Sequence, residues 1–495
     1  MNSRHYFLAF DVGAESGRAL LGTLADGWLV LDEKHRFANP TSRLGGHLYW
    51  NLLAQWEELK IGLKKTAAAG VALAGIGVDT WGVDFGLLAG DGQILGNPFH
   101  YRDVRTDGVP EKVFAKLPRA QIFAATGIQF LQLNSLYQLA AMRMADDELL
   151  KAAKTLLFMP DLFNYFFTGK RSSEFSIAST SQMFDMSRGQ WATGMLQTLG
   201  LPTNIFPPVV DSGTVLGPLR SDVAQECGVA AMDVIAPACH DTGSAVAAVP
   251  AQKDNWCYIS SGTWSAMGAE IVQPIINDKT LKYNFTNEGG VGRSIRLLTN
   301  LIGMWPIQEC RRYWIDQGQS HSYGELTALA GAARPFAAIL SPTHGPLYTP
   351  GQMPKKIEDF CRQSGQTPPA DKGQTIRTCL EALALSYRLT LNALEDILGH
   401  KISVIHIVGG GSQNELLNQM TADACARPVV AGPVEATAIG NLLVQAMAVG
   451  LVRDLADVRG IVRASFQPRQ YEPRDTAAWD AHWERFCKLD KRGHC

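Results

Sequence analysis

Several signatures that would assign a chain at once are missing from these 495 residues. The nine cysteines are odd in number, scattered and never spaced as C-x-x-C. That excludes a zinc site or a disulfide framework and suits reduced thiols in a cytoplasmic protein. The most apolar long segment, 438–452, is interrupted by Asn441 and Gln445 and falls short of the roughly 20 residues needed to span a bilayer; it reads as a buried helix. Met1 to Tyr6 carries no charged segment leading into an apolar one, so no signal peptide is expected. Neither charge sign is in excess, with 45 Lys and Arg against 47 Asp and Glu. The balance argues against nucleic acid or a membrane surface as partner and leaves room for a local phosphate site. G-x-S-x-G and H-E-x-x-H are absent, which removes serine hydrolases and zincins.

What is present is an alternation of strand and helix signals, on a length that calls for about two large domains. Tyr6 to Phe10 and Arg18 to Leu24 read as a hairpin around Asp11-Val12-Gly13, with Leu29 to Arg36 as a third strand. Leu52 to Ala69 has helical spacing, and the apolar run Leu73 to Val78 stops at Asp79-Thr80-Trp81-Gly82. The segment 233–239 is a further strand. The second half repeats the plan: Trp256 to Ser260 and Trp264 to Glu270 form a hairpin around Ser261-Gly262-Thr263, followed much later by helix 375–398, strand Val404 to Val408, the turn Gly409-Gly410-Gly411, a last strand 428–431 and a helix 438–449 behind it. The proline-rich region 318–375 is expected to be irregular. The polar segment Val249 to Asp254 marks a boundary, giving domains 1–248 and 249–495. Trp479, Trp483 and Phe486 form a core-docking stripe on a terminal helix.

The candidate chemistry sits at turns. Asp241, in His240-Asp241-Thr242-Gly243, is a lone carboxylate at the end of an apolar run, where open α/β sheets bind ligands; as a residue opening a helix it serves equally as a cap. Asp11 before Gly13-Ala14-Glu15-Ser16-Gly17-Arg18 holds either a divalent metal through water beside a phosphate cradle, or an ordinary hairpin turn. This run lacks the G-x-x-x-x-G-K of a P-loop and leads into a strand. The Gly409 to Gly411 turn lets a nucleotide lie against bare backbone or simply opens a helix; it lacks G-x-G-x-x-G, which disfavours a nicotinamide cofactor. Trp81 to Phe85 and Tyr101 to Thr106 suit sugar binding or a buried ion-pair network. His240 and Asp241, being adjacent, point to different faces, so the histidine is a binding or orienting group and no dyad.

Taken together, these motifs resemble the FGGY family of sugar kinases from about Phe7 to Pro473. The resemblance rests on Phe10 to Arg18, Gly77 to Phe85, Tyr101 to Thr106, Gly127 to Phe130, Met159-Pro160-Asp161, Cys239 to Thr242, Ser260 to Trp264, Thr286 to Gly290, His406 to Asn414 and Gly432 to Thr437. It implies an α/β fold of two ribonuclease H-like domains, of the actin and hexokinase ATPase type, with a catalytic cleft between them. By that resemblance domain 1–248 carries the sugar site and the base, and 249–495 the nucleotide site. The implied activity is ATP-dependent phosphorylation of a ketose at O1, with L-rhamnulose favoured by the Trp-Gly-Val-Asp-Phe, Asn-Glu-Gly-Gly and Gly-Pro-Val-Glu-Ala runs. L-fuculose or L-xylulose is the nearest alternative, and a non-catalytic actin-like ATP-binding protein a more distant one. Asp241 is the implied general base; Gly82, His240, Asp241, Thr242 and Asn300 the sugar contacts; Ala14, Glu15, Ser16, Gly17, Arg18, Thr263, Gln308 and Gly410 the ATP contacts; and Asp11 the organiser of Mg2+, through water. The chain is expected to be a monomer or homodimer. Glu15 and Trp305-Pro306 depart from other members, which leaves the contacts of Glu15 and Gln308 open.

Overall fold

Strands His5–Val12 and Ser16–Ala25 pair antiparallel from His5 opposite Leu24 to Val12 opposite Gly17, and Trp28–Ala38 extends the sheet. On the other side of His5–Val12 lie Leu73–Thr80 and Asp233–Ala236, both parallel, and an antiparallel edge, Thr214–Pro218. The last six residues of both His5–Val12 and Leu73–Thr80 are buried, as befits parallel strands covered by helices on both faces. Helix Leu52–Ala67 covers one face, where Gly62 meets Phe10 and Ala19. Helix Ala436–Ala448 covers the other, where Leu442 meets Gly22. The computed structural model describes residues 4–490 except 253 and 342. Met1 to Ser3, Lys253, Pro342 and Cys495, invoked in the sequence reading, lie outside the described residues.

The chain divides into two units: Met1–Ala248 with Glu270–Leu297 and Ala436–Phe466, and Val249–Ala269 with Leu298–Glu435 and Gln467–Cys495. In the second, Trp256–Ser261 and Trp264–Ile271 form the hairpin, flanked by Ile295–Ile302 on one side and by Val404–Val408, Val429–Ala431 and Arg469–Tyr471 on the other. Both sheets therefore share one spatial order, third strand, hairpin, two parallel strands, antiparallel edge, with Thr286–Gly289 as a seventh strand outside the third strand of the second sheet. The edge strand precedes its parallel neighbour in the first unit and follows it in the second.

Three sequence expectations change. Helix Ala436–Ala448 packs on His5–Val12, Leu73–Thr80 and the helix Asp241–Ala247 of the first unit, and does not stand behind the last parallel strand. Its Gln445 amide donates to the Leu8 carbonyl at 3.1 Å, inside that sheet. The proline-rich region holds the helices Tyr323–Ala332 and Met353–Gln363, the first opened by a Ser322–Glu325 capping box and the second by Pro354 in its first turn. Cys487 is disulfide-bonded, unlike the seven free cysteines among the described residues, all of them buried.

Gly440 marks the closest helix crossing: a Cβ there would overlap the carbonyl oxygen of Ser244, in the helix that begins with Asp241. Since the obstacle is backbone, the helices themselves must part. Gly440→Ala is expected to destabilise the protein by about 1–3 kcal/mol or more, read as a lowered unfolding midpoint in urea; an unchanged midpoint would show that the crossing yields freely.

Candidate active site

The parallel register of the first sheet places Asp11 beside Asp79 and brings Thr80 alongside His240. Three strand ends thus deliver Asp11, Asp79 and Asp241 to one edge. Arg18 is directly across the hairpin from Asp11 and donates to its Oδ2 at 2.7 Å. Asp79 is fully enclosed. Burial, then the charges of Asp11 and Asp241, push its carboxyl well above the usual range, opposed by a 2.6 Å hydrogen bond from Asn441 to Oδ2. Its Oδ1 is buried with no hydrogen-bond partner.

The turn Ala14 to Arg18 is braced from behind: Gly13 N–H donates to the Ser16 carbonyl, and the Asn39 amides donate to the carbonyls of Gly13 and Glu15. Gly17 has a packing reason to be glycine, since a Cβ would overlap the Phe37 ring. The Glu15 side chain is exposed.

Asp241 opens the helix Asp241–Ala247, with His240 as the cap residue. Its Oδ1 accepts from the Thr242 amide at 2.5 Å and the Thr242 hydroxyl at 3.1 Å. Among the described residues no hydrogen bond reaches Oδ2, and 31% of the side chain is exposed. Capping and base chemistry are therefore not exclusive here, because each uses a different oxygen. The loop before it is clamped by buried Glu174, whose Oε2 accepts from the amides of Cys239, Ser176 and Ile177, and whose Oε1 accepts from Ser212. The Ser176 hydroxyl in turn accepts from the His240 amide at 3.0 Å.

His240 Nε2 lies 3.4 Å from Asp241 Oδ1 and 3.3 Å from where a Cβ on Gly82 would be, with Thr180 equally near. Glycine at 82 thus leaves the imidazole and the Asp241 carboxylate unobstructed. Next to it Val83 sits at φ +70°, with Asp84 N–H bonded back to Gly82 O at 2.9 Å. This is a γ-turn of the strained kind, in a region that β-branched residues avoid. Thr180 accepts from Val83 N–H, and Ser135 donates to Val83 O. Asp84, fully buried, accepts from Trp50 Nε1, Trp81 Nε1 and Tyr101 N–H on Oδ2 and from Gln138 on Oδ1. Trp81 is itself buried, its ring 4.0 Å from that of Trp50, so in this cluster the structural alternative of an aromatic and polar network holds. Arg105 is likewise interior, donating to Gln138 and lying 3.8 Å over Phe99.

In the second unit the turn Ser261-Gly262-Thr263 meets two further segments. Gly303, whose Cβ would come within 2.6 Å of Trp264 backbone, lets its own amide and those of Met304 and Trp305 donate to the carbonyls of Thr263 and Gly262. This anchors the start of helix Trp305–Asp316, in which Pro306 occupies an early position that lacks a helical partner anyway. One turn on, Gln308 has its Oε1 buried without a partner. Gly411 packs on Ser261, where a Cβ would overlap the hydroxyl, while beside Gly410 there is open space and exposed backbone. Thr263, Gln308 and Gly410 thus belong to one assembly of loops, and Asn300 lies on the strand Ile295–Ile302. Asp11, Gly82, His240, Asp241 and Thr242 belong to the first unit. Asp79, Glu174, Thr180, Glu288, Arg296 and Asn441 were not singled out as site residues from the sequence; Asp79, at the end of an apolar run like Asp11, and Glu288, within the Thr286 to Gly290 motif, offered a signal.

Residues 6–248 match the N-terminal domain, and residues 257–449 the C-terminal domain, of the FGGY family of carbohydrate kinases. The chain is 45% identical over 480 residues to a rhamnulokinase of Bacteroides thetaiotaomicron, covering 97% of this chain and 98% of that one. A rhamnulokinase of Bacillus subtilis is 39% identical over 469 residues, 95% and 96% of the two chains. Among solved structures, a ligand-bound xylulose kinase from Lactobacillus acidophilus superimposes with a TM-score of 0.82 at 16% identity, covering 98% of this chain and 97% of that one. Plasmodium falciparum glycerol kinase with ADP gives 0.77 at 13% identity, covering 98% of each.

Burial, opposed by the hydrogen bonds from Trp50, Gln138 and Trp81, pushes the Asp84 carboxyl up to about 6. A carboxyl raised on folding favours the folded state below its unfolded value, near pH 4, and that contribution is lost as pH climbs through 6. Asp84→Asn removes the titration. The stability of the parent relative to this variant should therefore fall by roughly 3 kcal/mol between pH 4 and 6.5, measured by urea unfolding followed through tryptophan fluorescence; a pH-independent difference would contradict the burial argument.

Proposed function

The chain belongs to the FGGY family of carbohydrate kinases, and from this we propose that it transfers the terminal phosphoryl group of ATP to the O1 hydroxyl of L-rhamnulose, giving L-rhamnulose 1-phosphate and ADP. The substrate is suggested by full-length relatives named as rhamnulokinases at 38–45% identity. The observation that carries the chemistry is the division of labour within Asp241: Oδ1 is fixed by the first turn of its helix, and Oδ2 is left to accept a proton.

Phosphoryl transfer passes through a loose transition state, so a kinase needs positioning and charge neutralisation more than covalent chemistry. Asp241 takes the O1 proton as the oxygen–phosphorus bond forms and the bond to the leaving ADP breaks. His240, Thr242, Gly82 and Asn300 are the sugar contacts in this reading. Ala14 to Arg18, with Thr263, Gln308 and Gly410, hold ATP; the orphaned Gln308 Oε1 suits a hydroxyl or amino donor of the nucleotide. Arg18 brings positive charge to the phosphates.

Mg2+ accompanies ATP in this reading and supplies charge neutralisation at the transferring group. Among the described residues no group of three or more His, Cys, Asp or Glu forms a metal cage. Mg2+ does not require one, since it is usually held by one or two carboxylates with water and phosphate. Asp11 fits that role, at a strand end beside the turn Ala14 to Arg18. Among the described residues no helix is long and apolar enough to cross a membrane.

Coupled ADP release over L-rhamnulose, L-fuculose and L-xylulose should give the highest kcat/KM for L-rhamnulose; a clear preference for another ketose would reassign the substrate. Asp241→Asn should lower kcat by at least about 10² while ADP binding changes little. Near-normal turnover in that variant would remove Asp241 from the chemistry.

A further inference from the structure

Behind His240 lies a buried pair that no role has yet absorbed. Arg296 has no exposed surface and Glu288 almost none. Arg296 Nε donates to the Gly289 carbonyl at 2.8 Å, and its Nη2 lies 3.0 Å from His240 Nδ1 in hydrogen-bonding alignment. Glu288 Oε2 is close to both groups, 3.3 Å from Nδ1 and 3.2 Å from Nη2. It is nevertheless aligned with neither and takes no hydrogen bond.

These contacts fix a proton. A guanidinium has donors only, so the nitrogen it addresses must accept. The single ring proton of His240 then resides on Nε2, the atom that faces Asp241 Oδ1 and Gly82. Glu288 balances the Arg296 charge, so that a full cation is not left unpaired in the interior.

We propose that Arg296 and Glu288 are positioning residues that lock His240 in the neutral tautomer with its proton on Nε2, making it a hydrogen-bond donor toward the sugar and the base, not a second proton acceptor. The consequence for catalysis rests on the reading of Asp241 as base for the sugar hydroxyl. A ring carrying its proton on Nε2 cannot compete for the O1 proton. It can hold a ketose oxygen and keep Asp241 Oδ1 in place, leaving Oδ2 to react.

The tautomer is measurable without any substrate, which separates this proposal from the choice of ketose and from the role of Asp241. Two-bond proton–nitrogen correlation spectra of the 15N-labelled protein, with the His240 ring assigned by its loss in His240→Gln, should give the pattern of protonated Nε2 and bare Nδ1 at pH 7.5. A ring protonated on Nδ1, or on both nitrogens, would overturn the proposal by itself. In the charge-balanced double variant Arg296→Met with Glu288→Gln, the ring should populate both tautomers, and KM for the ketose should rise by about tenfold, the loss of roughly one hydrogen bond, with KM for ATP little changed. If the double variant folds and keeps both the tautomer and the ketose KM of the parent, Arg296 does not position His240. If it does not fold, the spectrum of the unaltered protein still decides.

Discussion

Gathering carboxylates in one place is electrostatically unfavourable, and the first unit is organised around doing so. The register that sets Asp11 beside Asp79 and Thr80 beside His240 follows from burying both faces of parallel strands, since slipping it by one residue would turn each inward side chain to the opposite face. Once the register is fixed, the acidic strand ends must coexist, and each is answered differently. Asp11 has a guanidinium across the hairpin. Asp79 has an amide from a distant helix and a pKa raised by its surroundings. Asp241 has backbone and hydroxyl donors at a helix start, where negative charge is favoured. No two of the three compete for the same donor.

Because the helix carrying Asn441 is needed at the sheet edge, chain connectivity follows from it. Ala436–Phe466 returns to the first unit after the second is nearly complete. Its tight fit is visible in glycines rather than in large side chains: Gly440 against Ser244, Gly22 against Leu442 and Gly77 against Asn441 all sit where a Cβ has no room. The helix bearing Asp241 is thus held from one side by Ala436–Ala448 and at its entrance by Glu174 and Ser176. The proposed base, on a short seven-residue helix, gains its orientation from these supports, as catalytic groups generally need a fixed surround.

How much of this could be read in the sequence depends on the distance over which each feature is decided. The hairpins, the parallel strands and the turns at Asp11, Ser261 and Gly409 are local: apolar runs interrupted by glycine and polar residues, and they lie within a few residues of their expected limits. Asp11, Asp241 and Gly410 were legible because each sits at such an interruption. The destination of Ala436–Ala448 was not legible, because its apolar periodicity says that it is buried and nothing about which sheet buries it. Region 318–375 misled because proline at a helix start looks the same in composition as proline in a loop. Glu174 and Arg296 were hidden for a third reason: charged residues outside apolar strand ends carry no local mark, and these two reach the loop at Cys239 and His240 across more than fifty residues of chain; Glu288 stood in the Asn-Glu-Gly-Gly run, which marked the family and not the contact with His240.

The γ-turn at Val83 shows the same logic at the scale of one residue. A β-branched side chain at φ +70° costs on the order of 1–3 kcal/mol and persists only where its surroundings over-determine it. Here they do. Thr180 and Ser135 hold the Val83 peptide groups, and Asp84 is tied by four donors, one from its own turn and three from separate segments. What the turn achieves is placement: it ends the strand Leu73–Thr80 abruptly and puts Gly82, with no side chain, beside His240 Nε2. A relaxed turn would carry the chain past this point and set bulk against the imidazole. The buried carboxylate at 84 and the carboxylate proposed as the base at 241 are therefore complementary. The first is enclosed and fully hydrogen-bonded so that the strained turn stays put. The second is half-satisfied and partly exposed, and the turn leaves the space beside His240 and Asp241 open.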